Sequence, residues 1–347
     1  MERKLATIRQ ISDIQPIEGA DNIEVATVDG WHVVCKKGEF KIGDHCIYCE
    51  IDSVMPDRPE FAFLKDSNGR MKRIRTVKLR GQLSQGICFS LDILSSVVEN
   101  FAYSITELGQ DVTELLGITK YEPYISATLG GVPRGTFPTH LLPKSDEERI
   151  QNLKKEMRSW NGIEFVMTEK LDGTSATFIL NEDEFMVCSR NQWLKEDETN
   201  VYWRIAKELD IEKKMRELCD IIGDFAIQGE IVGPGIQSNR LKLDKLSFFV
   251  FNIYSIAYKK YLSWQNIEEF NKDLGLQLVP ILGTGFVLSE DMSIDSLIAM
   301  ADGTSLLNQK VLREGLVYRS YYGCPDEIYG KVSFKIVSNK YLLKTGE

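Results

Sequence analysis

Two alternating runs near the front of the chain, IEVATV (residues 23–28) and WHVVCKK (residues 31–37), are separated only by Asp29-Gly30. Strand-period runs joined by Asp-Gly predict a β-hairpin, because a two-residue hairpin turn needs positive φ, which these residue types tolerate. More short runs follow, HCIYCEI at 45–51, RIRTVKL at 73–79 and GICFSL at 86–91, with turn residues between them. About five strands and no long helix before the end of this region predict a small all-β unit.

Strands of this number and spacing suit an OB-like barrel over residues 1–120, with a compact sandwich as the alternative. At 347 residues the chain exceeds one small core, so two domains are expected. The Gly- and Pro-rich stretch YEPYISATLGGVPRGTFPTH at 121–140 reads as the linker. Within it, Gly130 to Thr136 looks like a phosphate loop. It lacks the phosphate-binding lysine and runs into Phe137-Pro138 instead of a helix, which excludes that reading. Residues 141–347 mix strands at 165–171, 176–180, 185–190, 225–232, 246–254, 315–321 and 331–337 with helices at 197–222 and 263–274. Ser263 is the expected N-cap of the second helix. The fold class is therefore multi-domain: an all-β OB-like barrel, then an α+β domain of antiparallel sheets with flanking helices.

The N-terminus is charged from its second residue, and the longest apolar run, LSFFVFNIYSI, is too short to span a bilayer. Seven scattered cysteines suit a reducing compartment, so a soluble intracellular protein, cytoplasmic or nuclear and monomeric, is expected. Cys46 and Cys49 form a C-x-x-C in a strand, where positions three apart face opposite ways, a poor start for a metal site. The net charge of −9 argues against coating nucleic acid by bulk attraction. Residues 65–80 depart from that balance, with seven basic residues (Lys65, Arg70, Lys72, Arg73, Arg75, Lys78, Arg80) against Asp66. Such a strip can contact phosphates, or be a solvated strand.

The segment TEKLDGTS, residues 168–175, puts Lys170 at the end of one strand with Asp172 beside a bend at Gly173. Glu230 lies on a strand face opposite Ile227, Gly229 and Ile231, just before Gly233-Pro234-Gly235, and Glu314 opens another strand. Lys331, Ser333 and Lys335 alternate with Val332, Phe334 and Ile336, a polar face over an apolar one that suits the floor of an anion site. Arg190 and Asn191 end the strand after the first hairpin. Each segment alone also reads as an ordinary surface charge or ion pair.

Taken in order, Lys-x-Asp-Gly, Ser-Arg-Asn, Gly-Glu, FFVFNIY, Glu-Gly-Leu-Val-Tyr and the lysine strand resemble the motif series of covalent nucleotidyltransferases over residues 143–344. That superfamily includes polynucleotide ligases and mRNA capping enzymes. KLDGTS, the preceding FPTHLLPKSDEERIQN and the final FKIVSNKYLLK are most similar to ATP-dependent RNA ligases with an N-terminal OB domain, the Deinococcus-type branch. Only three residues follow Lys344, whereas DNA ligases and capping enzymes carry an OB domain after the lysine strand. Ser175 stands where many DNA ligases have arginine.

The resemblance implies that Lys170 attacks the α-phosphorus of ATP and carries AMP to an RNA 5′-phosphate, which a 3′-hydroxyl then joins in RNA end or nick repair. It implies Asp172, Glu230 and Glu314 as Mg²⁺ or Mn²⁺ ligands, directly or through water. It places Glu169 near the adenine amino group, Arg190 and Glu230 near the ribose, Glu314 in the nucleotide site, and Phe251 against the base or in the core. Lys144 and Arg149 would orient pyrophosphate, and Lys335 would be the catalytic cation, with Lys331, Lys340 or neither as a second lysine. Lys72, Arg73, Arg75, Lys78 and Arg80 would contact nucleic acid. A lysine of pKa about 10.4 needs a shift of roughly three units, about 4 kcal/mol, to attack at pH 7, which neighbouring cations and a metal can supply. The rivals are a DNA ligase, a capping guanylyltransferase and a non-catalytic RNA-binding protein with a nucleotide pocket.

Overall fold

The front of the chain is organised by an eleven-residue strand that hydrophobic patterning does not single out, β1 (Ala6–Pro16). Its first half pairs with β4 (His45–Cys49), from Ala6 opposite Cys49 to Gln10 opposite His45. Its second half pairs with β2 (Ile23–Val28), and the register shifts between Ile11 and Asp13. That bulge bends one strand from one neighbour to the next, the device by which a short sheet coils into a barrel. With β3 (Trp31–Lys36) and β8 (Ile87–Phe89) the sheet runs β3-β2-β1-β4-β8.

These elements come from a computed structural model that describes residues 3–97, 107–121, 130–289, 291–324 and 331–346. The expected β2–β3 hairpin is present, with the positive φ on Asp29 (51°). Residues 73–79 are a strand only at β6 (Val77–Leu79), which turns through Arg80-Gly81 into β7 (Gln82–Ser84); β5 (Ser53–Val54) pairs β9 (Thr119–Lys120) and α1 is Thr113–Leu116. Trp31, Val33, Cys46 and Tyr48 fill the core of this sheet.

The chain separates into two units, one of residues 2–123, 150–154 and 339–347, the other of residues 124–149 and 155–338. Residues 150–154 join the first because Trp31 Nε1 donates to Asn152 Oδ1 (2.7 Å), and Asn152 Nδ2 donates to the buried Glu50 (2.6 Å). Of the expected linker, residues 122–129 lie outside the described residues, and Pro133–Thr136 (β10) is an edge strand.

The second unit holds two antiparallel sheets. The larger has the order β10-β14-β13-β12-β15-β16-β17, made with β12 (Thr174–Asn181), β13 (Glu184–Ser189), β14 (Gln192–Leu194), β15 (Phe225–Val232), β16 (Ser247–Ser255) and β17 (Lys260–Tyr261). A short β18 (Gln277–Leu278) adds to β16 in parallel. The smaller sheet is β19-β11-β20-β21: β11 (Glu164–Lys170), β19 (Ile281–Val287), β20 (Gly315–Ser320) and β21 (Ser333–Val337). The single helix expected over 197–222 is two, α2 (Val201–Glu208) and α3 (Ile211–Ile222), because Asp210 sits at φ 52° and breaks the run. α4 (Trp264–Leu274) is capped by Ser263, whose hydroxyl accepts from Asn266 N. These helices pack with the larger sheet around Phe178, Tyr202, Met215, Phe225 and Trp264. On the smaller sheet Phe165, Tyr318 and Phe334 pack on one another, Tyr318 and Phe334 stacked at 4.8 Å. Among the described residues no helix is long and apolar enough to cross a membrane.

Candidate active site

Lys170 is the last residue of β11, opposite Gly315 of β20, which is opposite Val337 of β21. A glycine follows each of two carboxylates here, Asp172-Gly173 and Glu314-Gly315. Gly173 lies at the expected bend and also permits close approach: a Cβ there would overlap the Ile231 carbonyl of β15, and one on Gly315 would overlap the Ile336 carbonyl of β21. Neighbouring backbones therefore close on the strand end that carries the lysine.

Lys170 Nζ donates to Glu314 Oε1 at 2.6 Å, with the lysine side chain 26% exposed and the glutamate 12%. Burial disfavours the ammonium, but Glu314, Glu230 and Asp172 together outweigh it and hold the Lys170 pKa above the ordinary lysine value. The downward shift expected from neighbouring cations is absent because the nearest charges are carboxylates. Lys335 stands level with Thr168, through Val317, and not with Lys170. Glu230, opposite Ser175, is pushed up to about 8, first by burial, with Lys170 opposing and Glu314 and Asp172 reinforcing.

These donors fit a hard divalent cation in a particular way. Among the described residues no three His, Cys, Asp or Glu side chains form a ready metal cage. Asp172 Oδ2 is 3.1 Å from Arg240 Nη1 and Glu314 faces Lys170. Desolvation first, then the nearby Glu314 and Asp172, push the Glu230 pKa up to about 8, so ionising all three carboxylates together is costly unless a cation offsets their charge. An ion of the Mg²⁺ type, bound through one or two carboxylates plus water and phosphate oxygens, suits that set.

The expected hairpin at Lys170 is not formed, because β11 and β12 belong to different sheets. The segment ahead of β11, residues 143–149, crosses these strands with contacts along its length. The Pro143 carbonyl accepts from Gln228 Nε2 (3.1 Å), Lys144 Nζ donates to Asn191 Oδ1 (3.0 Å), and the Ser145 and Ser175 hydroxyls are 3.0 Å apart. Arg190 Nη2 donates to both Asp146 oxygens, at 2.7 and 2.6 Å. The Glu148 carbonyl accepts from Lys335 N (2.8 Å), and the buried Arg149 bridges to Lys335 as a parallel strand residue would.

Glu147 of this segment is the largest omission of the sequence reading. It accepts from Lys331 Nζ at 2.9 Å and from the Ser333 hydroxyl, and lies 3.6 Å from Arg319 Nε. Burial would raise its carboxyl, but Lys331, Arg319 and Ser333 outweigh that and hold it below the usual value. Arg319 in turn donates to Thr168 Oγ1 (2.9 Å) and Asn252 Oδ1 (3.3 Å), and its guanidinium lies 5.4 Å from the ring centre of Phe251. Lys331 thereby serves a buried network. Nothing in the spacing of Glu147 or Arg319 announces these roles, because their partners are distant in sequence.

Lys170, Asp172, Glu230 and Glu314 thus come together, with Arg190 acting electrostatically on Glu230. Glu169 alternates to the other face of β11, where its Oε2 accepts from Leu306 N (2.7 Å); burial raises its carboxyl, with Ser305 and the Leu306 amide opposing. Phe251 is 8% exposed and packs in the core. In the front unit Lys72, Arg75, Lys78 and Arg80 are exposed. Arg73 departs from the expected strip: it pairs with Asp52 (3.3 Å) and lies over the Tyr121 ring (4.3 Å), which commits it to the fold.

An OB-fold domain model matches residues 5–91, and a model described as RNA ligase matches residues 163–337. The chain belongs to the RNA ligase family. Among solved structures, an apo mutant of Naegleria gruberi RNA ligase is 40% identical with TM-score 0.86, over 98% of this chain and 97% of that one. A mutant of the same ligase with ATP and Mn is also 40% identical, with TM-score 0.87 over 99% and 100%. A form with PPi is 41% identical, TM-score 0.85, over 98% of each chain. No curated protein matches. This RNA ligase therefore has the expected order of parts, an OB-fold domain ahead of a ligase domain.

Proposed function

We propose that this RNA ligase uses ATP to join RNA 3′-hydroxyl and 5′-phosphate ends through AMP carried on Lys170. Lys170 Nζ, having lost a proton, attacks the α-phosphorus; the P–N bond forms as the bond to pyrophosphate breaks. An oxygen of the RNA 5′-phosphate then attacks the same phosphorus, and the P–N electron pair returns to Nζ, which regains a proton. The 3′-oxygen finally attacks the activated 5′-phosphorus, its proton leaves, and AMP departs. The observation that carries this reading is the strand-end Lys170 at 2.6 Å from Glu314, with Glu230 and Asp172 acting on the same ammonium.

In this reading Asp172, Glu230 and Glu314 hold Mg²⁺ or Mn²⁺, which neutralises phosphate charge when bound. Glu169 reads the adenine amino group, Arg190 and Glu230 the ribose, and Phe251 supports the base. Lys144 and Arg149, on the segment that crosses the site, orient pyrophosphate. Lys335 supplies positive charge from β21. Lys72, Arg75, Lys78 and Arg80 of the OB-fold domain contact RNA, with a nicked duplex as one substrate. Seven cysteines without a disulfide support a reducing intracellular compartment, and we read the protein as a monomer acting in RNA repair.

Incubation with α-labelled ATP and Mg²⁺ or Mn²⁺ tests the reading. An acid-labile adenylate on wild type, absent from Lys170→Ala, is expected; labelling by GTP instead would indicate capping chemistry. A nick with RNA or DNA on its 3′-hydroxyl side separates RNA from DNA ligation.

A further inference from the structure

The link from β15 to β16 delivers a cation to which the proposed reaction has so far given no part. Gln237, Ser238 and Asn239 stand at φ 43°, 58° and 47°, and Lys242 at 54°, four non-glycine residues in the left-handed region within six positions. Such a conformation is costly and persists only where its surroundings over-determine it. Asn239 supplies part of that hold: its Oδ1 accepts from Leu243 N (3.0 Å) and its Nδ2 donates to the Leu243 carbonyl (2.9 Å). Asn308 Nδ2 donates to the Leu241 carbonyl (3.0 Å) and pins the loop from outside. Between these anchors Arg240 points at the site, its Nη1 3.1 Å from Asp172 Oδ2, with the guanidinium side chain 30% exposed.

Charge changes during the proposed reaction give this placement a consequence. Adenylylation converts the Lys170 ammonium into a neutral phosphoramide nitrogen and leaves the anionic phosphate of AMP in the site. The site is then more negative at the moment when a 5′-phosphate must approach. Arg240 arrives beside Asp172 on a loop separate from residues 143–149 and from β21. A guanidinium next to Asp172 also opposes a divalent cation on the same carboxylate, so the two favour different anions once both are present. Phosphate is the natural alternative, because the planar fork binds carboxylate and phosphate with the same geometry.

We propose that Arg240, paired with Asp172 in this structure, binds the 5′-phosphate of the RNA acceptor, passing from that carboxylate to the phosphate for AMP transfer. This rests on the RNA-joining reading above. The residue is a substrate-binding group for the second step, and the left-handed loop holds it beside Asp172, two positions along the chain from Lys170.

The test compares wild type, Arg240→Gln and Arg240→Lys as full-length chains with matching thermal melts. Fluorescence anisotropy measures affinity of the adenylylated enzymes for nicked RNA carrying a 5′-phosphate or a 5′-hydroxyl. Single-turnover assays follow Lys170 adenylylation and AMP transfer separately. Wild type is expected to prefer the 5′-phosphate by about tenfold or more, Arg240→Gln to lose that preference, and Arg240→Lys to keep part of it. Transfer should fall at least about tenfold more than adenylylation in Arg240→Gln. Preserved 5′-phosphate preference in Arg240→Gln, or equal losses in both steps, overturns the proposal; the second result would assign Arg240 to ATP phosphates. A wild type that forms no adenylate on Lys170 overturns the underlying reading instead.

Discussion

The site around Lys170 and the basic strip of residues 65–80 look alike in sequence, each a cluster of charge on strand-like segments, but the fold treats them differently. Around Lys170 the charges are drawn under cover and face one another, so they alter each other's protonation. On the strip Lys72, Arg75, Lys78 and Arg80 stay exposed, whereas Arg73 is taken inward by Asp52 and Tyr121 and Lys65 pairs with Asp57 at 2.6 Å. Buried charge is committed to specific partners and is costly to disturb. Exposed charge is available to a polyanion and sensitive to salt.

That contrast can be broken most sharply by Glu314→Ala, which removes the direct partner of Lys170. Adenylylation should fall by about 10²- to 10³-fold in single-turnover labelling while RNA affinity changes little. Glu147→Gln leaves Arg319 and Lys331 buried without their carboxylate, at a cost of about 3–5 kcal/mol, and should lower the melting temperature by about 10 °C in calorimetry. The double substitution Lys78→Ala with Arg80→Ala should weaken nick sealing about fivefold and flatten its salt dependence, with adenylylation within about twofold of wild type. Arg73→Ala, by contrast, should shift the melt and leave the salt slope alone.

The protonation of Glu230 sharpens the same comparison. With its pKa at about 8, metal binding must release a proton below that pH, so Mn²⁺ affinity measured by EPR should rise about tenfold per pH unit up to about 8 and level off above it. The sign is the same for catalysis, because higher pH also moves Lys170 toward the neutral amine. Since the folded pKa is raised, the folded state binds the extra proton, and this group's stabilising contribution declines as pH rises from about 4.5 to about 8. Glu230→Gln should abolish the pH slope of Mn²⁺ affinity and, as the smallest effect, raise the melting temperature at neutral pH by about 2–4 °C.

The parts of the fold that were legible from sequence are those where local pattern and tertiary use agree. The Asp29-Gly30 hairpin, the Ser263 cap, the strands carrying Lys170, Glu230 and Lys335 and the strand that begins just after Glu314 occur as expected. β1 was missed because its burial does not alternate: Thr7 is buried beside Ala6 and Ile8, and a bulge resets the pattern after Ile11. The break at Asp210 was missed because helical spacing continues across it. In the site, the order of short motifs exposed the strand-borne groups. Glu147 and Arg240 stayed hidden because Glu147 meets Ser333, 186 positions away, and Arg240 meets Asp172, 68 positions away. The glycines beside Asp172 and Glu314 were visible, but their function as points of backbone contact needed the neighbouring strands.

The central claim is that the half-buried, carboxylate-ringed Lys170 is the nucleophile. Its most direct test is peptide mapping by mass spectrometry after incubation of the full chain with ATP and Mn²⁺. The account predicts one AMP per chain, on the peptide containing Lys170, lost under acid and on addition of 5′-phosphorylated nicked RNA. AMP on another lysine, or RNA sealing without any adenylate on Lys170, would contradict it.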